Sequence, residues 1–325
     1  MVDWFGIGEA YRQAVDPAEN IQLWNDILEK IAKWKFNTIR LAFTFPGITP
    51  NSNGSTSPTL DMDRLNDVLS LLNMNGYQTV LDFHNYIVES NRDCAGWFGS
   101  PTWIADWLQL VSLVKDNPAV EAYELFNEPF KGSSADLSSW YNFNWTTDEA
   151  WNQYKILTEQ IRQIDPVKPV VWGSNINAIP PQDVIDYMVN PQNHVVYTSH
   201  PWSDPSIMTT EQADANVAYR IGKMKEAKNA GVLVWNGECG VHYTTVTTPD
   251  DRYEIEKYYC TKLINECLAN GFGFNWWLYT KNHWRVGSAD DVIGSSNYLK
   301  TGGFPVWLIA GLFAVGTIIY VGRKL

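Results

Sequence analysis

Residues 123–130 read Tyr-Glu-Leu-Phe-Asn-Glu-Pro-Phe. The apolar, β-branched and aromatic residues from 120 to 126 are typical of a buried strand. We expect that strand to stop at Asn127 and Glu128, because Pro129 has no backbone N–H to donate to a neighbouring strand. An amide and a carboxylate are therefore presented side by side where a strand ends. These residues are also common at ordinary strand-to-loop junctions, so the rest of the chain decides their meaning.

Seven further strand-like runs alternate with segments of helical periodicity along the chain. Together with 120–127, the predicted strands are 3–8, 37–43, 78–84, 168–173, 194–199, 232–236 and 272–277. Strands that alternate with helices favour a parallel sheet. Eight such units over about 280 residues match a (β/α)8 TIM barrel better than a doubly wound sheet. The predicted class is therefore α/β, and no glycine-rich turn of a nucleotide-binding fold follows any of these runs.

The composition narrows the classes of function. The formal charge of −12 and the isoelectric point near 4.8 argue against nucleic acid or an anionic membrane surface as a partner. The 16 Trp, 16 Tyr and 13 Phe suit a large core, and they also suit a cleft that stacks the apolar faces of sugars. The four Cys and five His show no metal-ligand spacing, so we predict neither a metal site nor a cofactor.

Polar residues at the carboxyl ends of the strands are the candidate site of such a barrel. Glu128 closes the fourth predicted strand and Glu238 closes the seventh. Two carboxylates that face each other across a barrel mouth are what glycoside hydrolysis needs, one as acid and one as nucleophile or base. The other polar or aromatic residues at strand ends are Arg40, His84, Asn85, Asn127, Trp172, His200 and Trp276.

Six motifs in this order resemble glycoside hydrolase family 5, in the large clan of retaining (β/α)8 glycosidases. The motifs are Ile39-Arg40-Leu41, Asp82-Phe83-His84-Asn85, Leu125-Phe126-Asn127-Glu128-Pro129, Tyr197-Thr198-Ser199-His200, Gly237-Glu238-Cys239-Gly240 and Asn275-Trp276. The resemblance extends from residue 1 to about residue 285. The Asn-Glu-Pro motif alone is shared by several families of the clan, whereas the ordered set of six is much more specific.

The resemblance implies a role for each catalytic residue. Glu128 would be the acid/base, and Glu238 would be the nucleophile. Asn127 would hydrogen-bond the 2-hydroxyl of the sugar that is cleaved. Arg40 would keep Glu238 ionised and in place.

The same resemblance implies a set of substrate-binding residues. His84 and His200 would line one subsite, with Asn85 beside them. Trp276 would be the stacking platform, although its neighbour Trp277 is a second candidate. The chain departs from the family at Trp202, where the family usually has a Tyr that touches the nucleophile. An indole N–H can donate a hydrogen bond at that position, but the hydroxyl is missing.

The expected activity is endo-acting hydrolysis of β-1,4-glucan, with a polysaccharide as the partner and retention of anomeric configuration. A β-mannan is the alternative substrate, because the family handles both and the specificity loops are the least readable parts of the chain. An alternative of another class is a non-catalytic, membrane-tethered carbohydrate-binding barrel. The presence of both glutamates counts against that alternative.

Residues 304–321 differ from the rest of the chain, since they include no charged residue and are followed by Arg323 and Lys324. A helix of this length spans about 27 Å, near the thickness of the hydrocarbon core of a membrane. We predict a catalytic domain over residues 1–300 and a C-terminal transmembrane helix over 304–321. The barrel would then lie outside the cell, and we expect an export leader to have been removed before Met1. The alternative is that 304–321 forms the eighth barrel helix of a secreted protein.

Overall fold

The computed structural model describes residues 2–4, 28–29, 31–43, 45, 62–84, 98–127, 148–173, 180–203, 206–241, 251–276 and 292–297. Within these ranges, parallel strands form a closed barrel in which each strand pairs with the next and β1 pairs with β8. The strands are β1 Val2–Trp4, β2 Thr38–Phe43, β3 Gln78–Phe83, β4 Val120–Glu124, β5 Val170–Trp172, β6 Val195–Ser199, β7 Leu233–Cys239 and β8 Phe274–Trp276. The predicted parallel α/β barrel is therefore confirmed.

Helices connect successive strands. They are α1 Met62–Met74, α2 Pro101–Val114, α3 Asp148–Ile164, α4 Gln182–Val189, α5 Thr210–Asn229 and α6 Asp251–Ala269. Local chemistry fixes where some of them begin: the Ser100 hydroxyl accepts a hydrogen bond from the Trp103 backbone N–H, with Pro101 at the first helical position. Thr209 and Gln212 form a capping box at the start of α5. Residues 28–29 and 31–33, ahead of β2, are also helical.

The barrel separates two apolar clusters. The smaller one has one residue or more from each of the strands β3 to β7, and it consists of Val80, Ala122, Val171, Val196 and Trp235 with Leu233 packed against them. Strand side chains alternate between two faces, so this set lies inside the barrel. The larger cluster combines the alternate residues of the strands, such as Leu81 and Tyr123, with the helices that cover them.

Toward the carboxyl ends of the strands, charged residues follow the inner apolar layer of the barrel. Arg40 is paired with Val80, and Asp82 is paired with Glu124. Paired residues of parallel strands point to the same face of the sheet, so three charged side chains follow the inner apolar layer. All three are fully buried. The inner face therefore changes from apolar to charged at this level of the barrel.

Residues 292–297, which follow β8 in the chain, pack against the barrel domain. Val292 and Ile293 are fully buried in the larger cluster, and the Asn297 backbone N–H donates to Asn265 Oδ1 at 2.7 Å. Among the residues that the structure describes, no helix is both long enough and apolar enough to span a bilayer. The predicted anchor at 304–321 lies outside these residues. That prediction and its alternative as an eighth barrel helix both stay predictions.

Candidate active site

Arg40 lies at the centre of the charged group inside the barrel. Its Nε donates to Glu124 Oε2 at 2.6 Å, and its Nη2 donates to Glu124 Oε1 at 2.7 Å. Nη1 donates to Glu238 Oε1 at 2.9 Å, and Nη2 also donates to Asn127 Oδ1 at 2.9 Å. The guanidinium therefore connects β2 to the end of β4 and, across the barrel, to β7. It contacts Glu238 directly, which is the contact expected from the family resemblance.

A ring of polar contacts surrounds the guanidinium. Asp82 Oδ2 lies 3.0 Å from Arg40 Nη2 and 2.6 Å from His84 Nδ1. His84 Nε2 in turn lies 3.3 Å from Asn127 Nδ2. Because Asn127 gives its carbonyl oxygen to Arg40, its amide nitrogen faces His84 Nε2 as a donor. This arrangement assigns the His84 proton to Nδ1, from which it is donated to Asp82.

Glu238 lies near the end of β7, where the strand is irregular. The pairing of β7 with β8 shifts register between Asn236 and Cys239, so β7 bulges at the residues between them. At Gly237, a Cβ atom would collide with Thr198 Oγ1 on β6, so only glycine allows this approach of the two strands. The bulge turns the buried Glu238 carboxylate toward the interior, and Glu238 Oε2 lies 3.6 Å from His200 Nδ1.

Strand β8 holds the bulge in place. Asn275 Nδ2 donates to the Gly237 carbonyl at 2.6 Å, and Cys239 Sγ donates to the Asn275 carbonyl at 3.3 Å. Cys239 is fully buried, and burial raises the pKa of its thiol well above the ordinary value. The thiol next to Glu238 is thus a neutral packing and donor group.

The turn after β6 carries His200 and Trp202. The Trp202 backbone N–H donates to the His200 carbonyl at 2.8 Å. From α6, the hydroxyl of the buried Tyr259 donates to the Pro201 carbonyl at 3.0 Å, and burial raises the pKa of this hydroxyl, which keeps it protonated. Glu256, on the same helix, accepts a hydrogen bond from the Ser203 hydroxyl at 3.2 Å. Helix α6 therefore holds the Pro201 carbonyl and the Ser203 hydroxyl, on the two sides of Trp202.

Trp276 differs from its expected role as a stacking platform. It is fully buried and belongs to the larger apolar cluster, together with Phe274 on the same face of β8. Phe274 packs edge-on against Phe36 at 5.8 Å, which marks that face as the outer one. A sugar stacks only on an open ring face, so this placement makes Trp276 a packing residue of the structure. Trp277, the second candidate, lies outside the described residues.

Two of the predicted site residues, Asn85 and Glu128, also lie outside the described residues. The residues immediately before them are firmly placed. The His84 backbone N–H donates to the Phe43 carbonyl at 2.8 Å, and the Asn127 backbone N–H donates to the Phe83 carbonyl at 2.9 Å. The role of Glu128 as acid/base and the role of Asn85 in binding stay predictions.

The structure adds two residues to which sequence reasoning assigned no role, Glu124 and Asp82. Both are fully buried carboxylates on the inner face, and both contact Arg40. The sequence offered one indication for Glu124: a charged residue within a largely apolar strand is a candidate for a buried, paired side chain. Within the described ranges, no group of three or more His, Cys, Asp or Glu side chains is arranged to hold a metal ion.

Two buried aromatic side chains hold the segment 125–127 that continues β4. Trp107 Nε1 donates to the Leu125 carbonyl at 3.0 Å. The Tyr154 hydroxyl lies 3.0 Å from the Phe126 carbonyl and 2.9 Å from the Gly173 carbonyl, so it ties the ends of β4 and β5 together. The backbone ahead of Asn127 is therefore anchored from α2 and from α3.

Tyr154→Phe is expected to lower the free energy of unfolding by about 1–3 kcal/mol, since the buried carbonyls of Phe126 and Gly173 would lose the one O–H that they share. It is also expected to lower kcat, because the anchored backbone leads directly to Asn127. Tyr123→Phe is the matched control: its hydroxyl donates to Asp165 Oδ2 at 2.8 Å, at the opposite end of the barrel. Urea unfolding and kcat should be measured for both variants. An equal loss of kcat in the two variants would contradict the assignment.

The class of protein follows from this geometry: a closed, parallel α/β barrel of eight strands with carboxylates, a guanidinium and imidazoles grouped at one end, as in barrel enzymes. The family whose sequence profile matches the chain is Cellulase (glycosyl hydrolase family 5), over residues 6–283. The chain therefore belongs to glycoside hydrolase family 5 and is a glycoside hydrolase.

Known relatives agree with this assignment. An endoglucanase of Paenibacillus polymyxa is 23% identical, and the match covers 80% of this chain and 71% of that protein. The solved hyperthermophilic endocellulase of Pyrococcus horikoshii is similar with a TM-score of 0.61 at 18% identity, over 83% of this chain and 86% of that one. Endoglucanase Cel5A of Thermotoga maritima gives a TM-score of 0.59 at 13% identity, over 83% and 88%. At these identities the two solved structures show that the fold is shared.

Proposed function

We propose that this protein is an endo-acting β-1,4-glucanase that works with retention of anomeric configuration, with Glu238 as nucleophile and Glu128 as acid/base. The observation that carries the proposal is the environment of Glu238. One oxygen of this buried carboxylate accepts a hydrogen bond from Arg40 Nη1 at 2.9 Å, while the other lies 3.6 Å from His200 Nδ1. A carboxylate beside a guanidinium is favoured in its ionised, nucleophilic form.

In the first step, a Glu238 oxygen forms a bond to the anomeric carbon as the bond to the leaving oxygen breaks. Glu128 donates its proton to that oxygen, so the shortened chain leaves as an alcohol. In the second step, a water molecule attacks the same carbon and the bond to Glu238 breaks. Glu128 takes a proton from the water, which restores both glutamates. Two inversions at one carbon give net retention.

Asn127 and Arg40 support the transition state in this proposal. The carbonyl oxygen of Asn127 accepts from Arg40, and its amide nitrogen faces His84, so the plane of the amide is fixed. The amide has two N–H groups, and the second one is suited to the 2-hydroxyl of the sugar. Such a contact strengthens as the oxocarbenium-like transition state forms. A fixed amide makes this contact without first giving up rotational freedom.

The choice of β-1,4-glucan rests on the relatives, which carry the names endoglucanase and endocellulase. The candidate specificity loops are 46–59, 86–100, 131–147, 202–209 and 282–297. Of these, 46–59, 86–97, 131–147, 204–205 and 282–291 lie outside the described residues. A β-mannan is therefore the substrate to test against β-glucan. Burial of a carboxylate on a guanidinium costs desolvation free energy. A catalytic role for Glu238 accounts for this pair, whereas a non-catalytic barrel offers no such account.

The test follows the first products by proton NMR, with a soluble β-glucan and a soluble β-mannan in parallel. We expect new reducing ends to appear first as the β-anomer, and the viscosity of the glucan to fall well before most bonds are cut. Products that appear first as the α-anomer would overturn the retaining mechanism. Faster cleavage of mannan than of glucan would overturn the assignment of β-1,4-glucan as substrate. The absence of sugar release from both glycans would overturn the proposed hydrolytic activity.

A further inference from the structure

We propose that Glu124 is a positioning residue for the hydrolytic reaction, which acts through Arg40 on Glu238 and Asn127. This inference rests on the function proposed above. Glu124 and Arg40 form a bidentate pair, in which both carboxylate oxygens accept from the guanidinium, at 2.6 Å from Nε and 2.7 Å from Nη2. Both side chains are fully buried, so water does not compete for these bonds.

The bidentate pair determines which donors of Arg40 remain for the reacting groups. A guanidinium is planar and has five N–H groups in a fixed fork. Glu124 takes one N–H from Nε and one from Nη2, which fixes the plane of the fork and its rotation. Nη1 is then directed at Glu238, at 2.9 Å, and the remaining N–H of Nη2 is directed at Asn127 Oδ1, at 2.9 Å.

Glu124 is the partner that this arrangement needs from the opposite side of the guanidinium. Glu238 approaches from β7, whereas Glu124 lies on β4 and is paired in register with Asp82 on β3. Asp82 Oδ2 lies 3.0 Å from Nη2, but the same oxygen also accepts a hydrogen bond from His84 Nδ1 at 2.6 Å. Asp82 is therefore shared between two donors and cannot replace the bidentate partner. If Glu124 were absent, the guanidinium would be free to turn toward Asp82 and away from Glu238. A displacement of about 1 Å at a reacting group costs about 10²-fold in rate.

The test compares Glu124→Gln and Glu124→Asp with wild type on a soluble β-glucan and on a dinitrophenyl β-cellobioside. The dinitrophenolate leaves without a proton, so a defect on the acid side of the reaction would largely disappear with the second substrate. A defect in Glu238 or Asn127 would persist. We expect kcat to fall by about 10²-fold in Glu124→Gln on both substrates, with KM changed by less than threefold.

Glu124→Asp keeps the charge but shortens the side chain by one methylene, so it cannot hold both bonds at their present lengths. We expect an intermediate loss of kcat in this variant, and it provides the decisive measurement if Glu124→Gln does not fold. Asp165→Asn is the matched control, because it also neutralises a buried carboxylate on a hydrogen bond, to the Tyr123 hydroxyl at 2.8 Å. The control should lower stability and leave kcat within twofold of wild type.

The outcomes separate the two proposals. If wild type releases no sugar or inverts the product, the proposed function fails. If wild type is an active retaining enzyme and folded Glu124→Asp keeps kcat within twofold on both substrates, the positioning role fails and the function stands. A loss in Asp165→Asn as large as that in Glu124→Asp would also overturn the positioning role, because stability alone would explain both.

Discussion

Replacement of Glu238 by alanine is expected to lower kcat on soluble β-glucan by about 10⁴–10⁶-fold, the scale on which enzymes lose rate with their nucleophile. The variant should remain folded, because alanine removes a carboxylate and leaves Arg40 with its two bonds to Glu124. Reducing-sugar release and circular dichroism measure the two effects. Sugar release at the wild-type rate in a folded variant would contradict the assignment of the nucleophile.

Azide rescue of Glu238→Ala provides a second test of the assigned nucleophile. A small anion can enter the space left by the Glu238 carboxylate and attack the anomeric carbon from the same side. We expect sodium azide to restore turnover of an activated aryl glycoside and to give a glycosyl azide with inverted configuration. Glu226→Ala is the control, since Glu226 is half-exposed on α5 and pairs only with Lys223 in the described contacts, at 2.9 Å. That variant should keep wild-type activity and show no response to azide.

Arg40→Ala is expected to lower both the free energy of unfolding and kcat. Three buried carboxylates, those of Asp82, Glu124 and Glu238, contact this one guanidinium. Without it they would be buried without a cation, and breaking a buried ion pair in this way costs about 3–5 kcal/mol. Urea unfolding should show the loss directly, and kcat should fall with it because Glu238 loses its hydrogen bond to Nη1.

Arg40→Lys separates charge from geometry. A lysine ammonium keeps the positive charge but is a point donor that cannot replace the planar fork. We therefore expect Arg40→Lys to recover part of the stability and little of the activity. Lys223→Ala is the control for a surface pair, and its stability should stay close to that of wild type. An Arg40→Ala variant that is no less stable than Lys223→Ala would contradict the account.

The order of strands and helices could be predicted because each run has its own period and its own stop signal. Gly231 and Gly271, which follow the helices before β7 and β8, have φ values of +92° and +68°. These are left-handed conformations that glycine adopts without strain. The sequence therefore determines the alternation of elements at the level of local chemistry.

The facing of individual residues could not be predicted in the same way. Trp235 and Glu238 both point into the barrel although they are three residues apart, and strict alternation would place them on opposite faces. The bulge between Asn236 and Cys239 removes that conflict, but it depends on Gly237 fitting against Thr198 on another strand. For Trp276 and Trp277, too, the sequence alone does not determine which of the two adjacent side chains faces the interior.

Glu124 shows a further limit of sequence reasoning. Its partner Arg40 lies 84 residues earlier in the chain, and no local pattern states that the two side chains meet. The register of β2, β3 and β4 brings them together. By contrast, Glu238 can be predicted as a site residue from the sequence, because it ends an apolar run at a strand terminus, where barrel enzymes place their polar groups.

The ring of Arg40, Asp82, His84 and Asn127, closed by Glu124, also bears on how charge is shared between the two halves of the barrel. All of it comes from β2 to β4 and the residues just after them, within residues 38–127. The contact of Arg40 with Glu238 instead spans 198 residues, so it joins the two halves of the barrel. The first half of the barrel therefore supplies compensating carboxylates for its own guanidinium, from Asp82 and Glu124. Glu238 adds its charge to a guanidinium that is already paired within that half.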